Sequence, residues 1–238
     1  MFTLDDARRL AASWVDRGRP DGERRRPRVH EFDLGYVIWA VPADDDRREV
    51  GAGRGVMDKT TGELSLWPSL PVSRIVEMFR DERAREIPAP RTWDPARQTR
   101  RDLSRTGFPE HVTHLTLADG RAQISRSSKG DGELNLHPLV AAALAGAPPR
   151  SRERAGERCS EVAAFSDVLH RADTQRRADR RPTFSADEAR ATLFRGAEIV
   201  TYRVCEPGDE LGGRTVPPCL SCQYLLGRFG FELAGGRR

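Results

Sequence analysis

Lysine is almost missing from this chain: Lys59 and Lys129 stand alone among 40 basic residues, and the others are arginine. Such a skew reads as a GC-rich coding bias and not as selection for phosphate contacts. Long apolar runs are missing too. No stretch of ~18 apolar residues occurs, which excludes a membrane-spanning helix. The opening MFTLDDARRLAASWVDR lacks an apolar secretory core and carries Asp5 and Asp6, so the chain is expected to be cytoplasmic, with no membrane partner. A strong charge of one sign is absent as well. Residues 1–100 hold 19 basic and 18 acidic side chains, and residues 101–238 hold 21 and 18. Such small excesses make no electrostatic funnel, so charge alone does not argue for nucleic acid.

What is present describes a folded protein. Hydrophobic residues are 37% and charged residues 32% of 238, too apolar for wholesale disorder and too polar for a membrane protein. The length allows one large domain or two small ones. Leu4, Ala7, Leu10, Ala11 and Trp14 recur at helical spacing behind a capping Thr3. A charged loop follows at 18–28. Phe32, Leu34, Tyr36, Ile38 and Ala40 then alternate as a strand with one buried face. Residues 56–67 read as a hairpin around Gly62, and Ser69 with Pro71 signals a helix start, with Ile75, Met78 and Phe79 inward. Residues 87–101 carry three prolines and no periodicity. A domain boundary is placed there: an α+β domain at 1–90, a linker at 91–106 and a second domain at 107–238.

The second domain opens with a hairpin, HVTHLTL and RAQISRSS around Ala118–Gly120. Short helices are expected at 137–145 and from Cys159, and another at 185–194 with Ser185 and Glu188 as a capping box. A buried strand at 197–205, a helix behind Pro218 and a short strand, FGFEL, close the chain. The order of elements is that of an α/β layered domain.

All four cysteines lie beyond residue 158: Cys159, Cys205, Cys219 and Cys222. In a cytosolic chain, clustered cysteines point to metal or catalysis before disulfides. Cys219 and Cys222 are three apart, so in a first helical turn both thiolates face one spot. Cys159 and Glu161 are two apart and serve one site only if Cys159 sits at a helix cap. Three thiolates make a tetrahedral zinc site with one position left for water. Glu161 then stands beside the metal without being needed as a ligand, the placement of a proton shuttle. Two other readings stay open: a redox Cys-x-x-Cys at a helix start, and a structural zinc completed by Cys205 or a histidine. The five histidines show no ligand spacing, Gly51, Gly53 and Gly55 read as turn or bulge glycines, and Trp67 and Trp93 read as packing residues.

Three stretches, CSEVAAFSDVL at 159–169, SADEARATLFRGAEI at 185–199 and PPCLSCQYLL at 217–226, resemble the cytidine-deaminase superfamily. The nearer resemblance, over residues ~107–233, is to the YwqJ-type bacterial deaminases of polymorphic-toxin systems. It implies a cytidine-deaminase-like α-β-α fold with about five strands, Zn2+ on Cys159, Cys219 and Cys222, and Glu161 as the catalytic proton carrier. The implied activity is conversion of cytosine to uracil in DNA, RNA or a nucleotide. The alternative is a non-catalytic interaction protein of a toxin–immunity locus with structural zinc. Asn135 and His137, between hairpin and catalytic helix, are candidate substrate contacts, as are Ser160, Pro218 and Ser221 beside the motif. Arg176, Arg177 and Arg180 are candidate nucleic-acid contacts. Residues 1–85 resemble a YrhB-like immunity-type domain through GRGVMDKTTGELSLWPSLPVSRIVEMF at 53–79, which implies a toxin or immunity partner protein engaged through residues 1–90.

Overall fold

The structure, a computed structural model, describes residues 1–15, 25–42, 53–104, 111–128, 132–204 and 213–231. The expectations for Gly51 and Cys205 and for the side chain of Trp14 lie outside the described residues; of the expected closing strand, Phe229 and Gly230 instead end a helix in a turn, Gly230 with φ of 84°, and the part beyond Phe231 lies outside the described residues. The chain divides into two units, Met1–Glu86 with residues 94–104, and Ile87–Trp93 with the described residues beyond 110. Together they make the expected α/β fold preceded by a smaller domain.

In the first unit, α1 (Leu4–Val15) starts where Asp6 N–H donates to Thr3 Oγ1 and the Asp6 carboxylate accepts Thr3 N–H. Four strands follow as an antiparallel meander in spatial order: β1 (Arg25–Glu31), β2 (Gly35–Pro42), β3 (Arg54–Asp58) and β4 (Leu64–Trp67). Strand β1 occupies part of the expected charged loop and pairs along its whole length with β2. It is a mostly exposed edge strand, and charge on an edge deters pairing with other chains. Apolar alternation, the signal used for strands, is what such an edge lacks.

Strand β2 is buried on both faces, not one. Tyr36 and Ile38 pack with Leu10, Ala11 and Met57, whereas Val37 packs with Val56, Ile75 and Phe79. The second face is covered by α2 (Val72–Arg85), which begins at Pro71 without a side-chain cap, so Ser69 is not its N-cap. Helix α3 (Pro95–Ser104) forms within the stretch expected to be a linker. Ala96 and Leu103 pack with the α1 cluster, and the Thr99 hydroxyl donates to Gly62 O at 2.9 Å. Pro95 at the first helical turn initiates this helix instead of breaking it.

The second unit carries β5 (His111–Thr116), β6 (Ala122–Arg126), α4 (Pro138–Ala145), α5 (Ser160–Ala178), α6 (Ala186–Glu188), β7 (Glu198–Arg203) and α7 (Leu220–Arg228). Its sheet is antiparallel in the order β6-β5-β7, three strands among the described residues. Leu115 and Thr113 face inward, and Val200 on the other face is exposed. Helix α5 packs on β5 and β6, and α4 and α7 pack on α5. Ser185 Oγ accepts Glu188 N–H as expected, but the Glu188 carboxylate takes Arg176 instead of closing the capping box.

Helix α5 is buried nearly all round along residues 160–170. Its anchor is Phe165, fully buried, with ring centroids 4.7 Å from Phe194, 5.4 Å from Phe229 and 5.2 Å from Phe231. Removing this ring leaves a cavity that three aromatic neighbours cannot close. Phe165→Ala is expected to cost about 3–5 kcal/mol, read as a lower denaturant midpoint. A loss below about 1 kcal/mol would mean that the cluster does not hold the helix.

Candidate active site

Cys159 is the N-cap of α5 and Cys219 is the N-cap of α7, both with extended backbone. A cap residue lies outside the helical repeat, so its side chain does not follow the helix face. That frees Cys159 from the helix face, and Glu161, inside the first turn of α5, is near enough for its charge to act on the Cys159 and Cys222 thiols. Cys222, fully buried, occupies the first turn of α7. The three Sγ atoms lie within 4.8 Å of one another, and those of Cys159 and Cys219 are 3.7 Å apart. Sulfurs bound tetrahedrally at ~2.3 Å to one zinc are ~3.8 Å apart, so the donor set fits that ion.

The cluster favours one thiolate, at Cys219. A hydrogen bond from the Cys159 thiol lowers the Cys219 pKa most, Cys222 adds to it, and the amides of Cys222 and Ser221 help at the helix N-terminus. Cys159 and Cys222 are pushed up in turn, since each shares its proton with a neighbouring sulfur and also feels the Glu161 charge. Glu161 is 5% exposed and forms part of the wall of a cavity of about 180 Å³. Ile199, Val200, Thr201, Thr215, Val216, Pro218 and Leu226 complete that wall. Its volume is on the scale of one small ring, and the wall is mainly aliphatic, with no cation among the described residues.

The loop that delivers Cys159 is stapled to α7 by Ser221. Ser221 Oγ accepts Glu153 N–H at 2.8 Å and donates to Ser151 O at 3.2 Å. Gly156 lies so close that an added Cβ would meet Ser221 Oγ at 2.6 Å, and Ala155 turns the chain with φ of 58°. Through these contacts the Ser221 hydroxyl, expected as a substrate contact, holds the loop. Neither the staple nor Gly156 stands out in sequence, because nothing local joins residue 221 to residues 151–156.

Other expected contacts are dispersed. Ser160 is fully buried behind Glu161, while Pro218 lies on the cavity wall. His137 caps α4, with Nδ1 accepting Leu139 N–H at 3.2 Å and Nε2 3.0 Å from Asp173. Both ring nitrogens are therefore engaged inside the fold. Burial pushes its pKa down, against the pull of Asp173. Asn135 is exposed, and its backbone and side-chain amides donate to Thr92 O and Arg91 O. These residues bond α5 around Ser166, His170 and Asp173, about 8–18 Å along the helix from Glu161.

Arg176 is 6% exposed, donates to Pro182 O and Glu188 at 2.6 Å each, and lies over the Phe184 ring. It is a packing residue, which corrects its expected contact with nucleic acid. Arg177 and Arg180 are exposed, but with Arg176 they sit at the far end of α5, about 25 Å along it from Cys159.

Residues 97–231, more than half of the chain, match the family profile described as YwqJ-like deaminase. Residues 5–86 match the Immunity protein 35-like domain, where an immunity-type domain is expected. No match occurs among curated proteins or solved structures.

Two outcomes follow from the cluster. With a thiolate favoured at Cys219, zinc uptake at pH 7 should release about two protons per ion, measured by titration in weak buffer; release of three, as from three neutral thiols, would overturn the charge assignment. Ser221→Ala should weaken zinc binding about 10- to 100-fold in competition with a chelator, and unchanged affinity would show that the staple does not position Cys159.

Proposed function

The chain belongs to the YwqJ-like deaminase family, and from that premise we propose that it is a zinc-dependent hydrolytic deaminase converting cytosine to uracil in nucleic acid or a nucleotide. The observation that carries this reading is the convergence of three cysteine sulfurs within 4.8 Å, with a buried carboxylate of the same helix start facing a ring-sized cavity. Cys159, Cys219 and Cys222 would hold the ion. When bound, zinc supplies a Lewis acid that brings the pKa of a water towards ~7.

The protein's own residues supply positioning and proton transfer. Ile199, Val200, Val216 and Leu226 give an apolar wall for a flat ring. Among the described residues that wall holds no cation, and this reading seats the base there rather than a phosphate. Glu161 takes a proton from the attacking water and delivers it to the ring nitrogen next to the amino-bearing carbon. It then carries the second proton to the departing amino nitrogen. Water and cytosine become uracil and ammonia, with Glu161 returned to its starting state.

The match of residues 5–86 to the Immunity protein 35-like domain supports a toxin–immunity setting, in which residues 1–90 engage a partner protein. That domain contributes no residue to the proposed chemistry.

Glu161→Gln should keep the full zinc content and lose deamination by about 10²-fold or more. The comparison uses single-stranded DNA, double-stranded DNA, RNA and free cytidine, with ammonia release as the readout. Wild-type turnover that survives this change would refute the role, and zinc-loaded protein inactive on every substrate would favour the non-catalytic alternative.

A further inference from the structure

Three buried hydroxyls run behind the proposed active site. Thr113 on β5 and Thr201 on β7 are register partners, and their Oγ1 atoms are 2.8 Å apart. Thr113 Oγ1 is 2.8 Å from Ser160 Oγ, and Ser160 Oγ is 3.4 Å from Glu161 Oε2. Thr113 and Ser160 are fully buried, and Thr201 is 7% exposed. Thr201 and Glu161 both face the same cavity. The chain thus leaves the cavity at one wall and returns to it at the carboxylate.

Its polarity follows from its charged end. A carboxylate only accepts, so Ser160 donates to Glu161 Oε2. Ser160 then accepts from Thr113, and Thr113 accepts from Thr201. Each hydroxyl proton is committed, as buried hydroxyls require. Two consequences reach the cavity. Oε2 of Glu161 takes the Ser160 hydroxyl, and Oε1 is the oxygen with no hydroxyl partner among the described residues. Thr201, having given its own proton inward, can only accept from whatever enters the cavity.

Resting on the deaminase reading above, we propose that Thr113 and Ser160 are positioning residues that select the working oxygen of Glu161, and that Thr201 reads an N–H donor of the bound base. The substrate class is therefore an amino-bearing heterocycle that directs an N–H at Thr201, and a ring offering only acceptors on that edge is disfavoured. The sequence motif contains Ser160 and Glu161 but neither threonine, because Thr113 and Thr201 are brought together by strand register.

The test uses the zinc-loaded full chain and separates kcat from KM. Thr113→Val keeps the shape and deletes the middle hydroxyl. It should lower kcat about 10- to 100-fold, as misorientation of a proton carrier does, with KM, zinc content and unfolding midpoint near wild type. Thr113→Ser should recover most of the rate. Ser160→Ala should reproduce the kcat loss, which keeps the test available if Thr113→Val does not fold. Thr201→Val should raise KM and leave kcat near wild type. A second readout is independent of turnover: buried, hydrogen-bonded hydroxyl protons of Thr113 and Ser160 should exchange slowly enough to be seen by proton NMR and should vanish in Thr113→Val. If wild type deaminates nothing, the functional reading falls and the NMR result still decides whether the chain exists. Unchanged kcat in Ser160→Ala, failure of Thr113→Ser to recover the rate, or rapidly exchanging hydroxyl protons in wild type would overturn the proposal.

Discussion

The second unit depends on two helices beginning at the same place. Cys159 and Cys219 each occupy the position just before a helix, where the backbone is extended and the side chain is not committed to a helical face. This resolves a difficulty in the Cys-x-Glu spacing. Two residues inside a helix at that separation diverge, whereas one at the cap and one in the first turn converge. It also addresses the charge. Three thiolates together carry −3, and each helix start presents about half a positive charge through its unpaired N–H groups. The offset is partial, and a metal ion held by the three sulfurs would supply the rest.

A helix that starts at Cys159, buries Glu161 in its first turn and carries the aromatic anchor Phe165 needs to be fixed in rotation if these groups are to keep their places. Polar contacts do this along the length of α5. Asp167 accepts Thr92 N–H at 2.7 Å, Ser166 accepts His137 N–H at 2.8 Å, and Asp173 accepts Phe184 N–H at 2.8 Å. Arg176 closes the series against Glu188 and Pro182. Buried charges persist only when paired or hydrogen-bonded, and these are. Because hydrogen bonds are directional, they fix the rotation of α5 in a way that apolar packing alone does not.

The parts legible in the sequence were those carried by local spacing. The Cys-x-Glu and Pro-Cys-x-x-Cys motifs announce a cluster, Thr3 and Ser185 announce helix starts, and Gly62, with φ of 69°, announces its turn. What stayed hidden required long-range pairing. Strand β1 has no apolar rhythm, since it is an edge. Helix α3 hides behind prolines that usually break helices, although Pro95 stands where proline starts one. Ser221, Thr113 and Thr201 act through partners 47 to 88 residues away. The basic run at 171–181 misled for another reason. Charge in a sequence is read as exposed, yet Arg176 is interior and salt-bridged.

The order of the units along the chain has a consequence of its own. Residues 87–93 belong to the second unit, residues 94–104 return to the first, and the chain then goes back to the second. A single cut anywhere between them leaves one fragment holding a piece of the other. Cleavage after residue 93 strips Thr92 from the buried Asp167, and cleavage before residue 87 carries α3 away from its apolar seat. A single cut in this region therefore does not separate the two units cleanly: each of the fragments it leaves lacks residues that its unit packs or hydrogen-bonds.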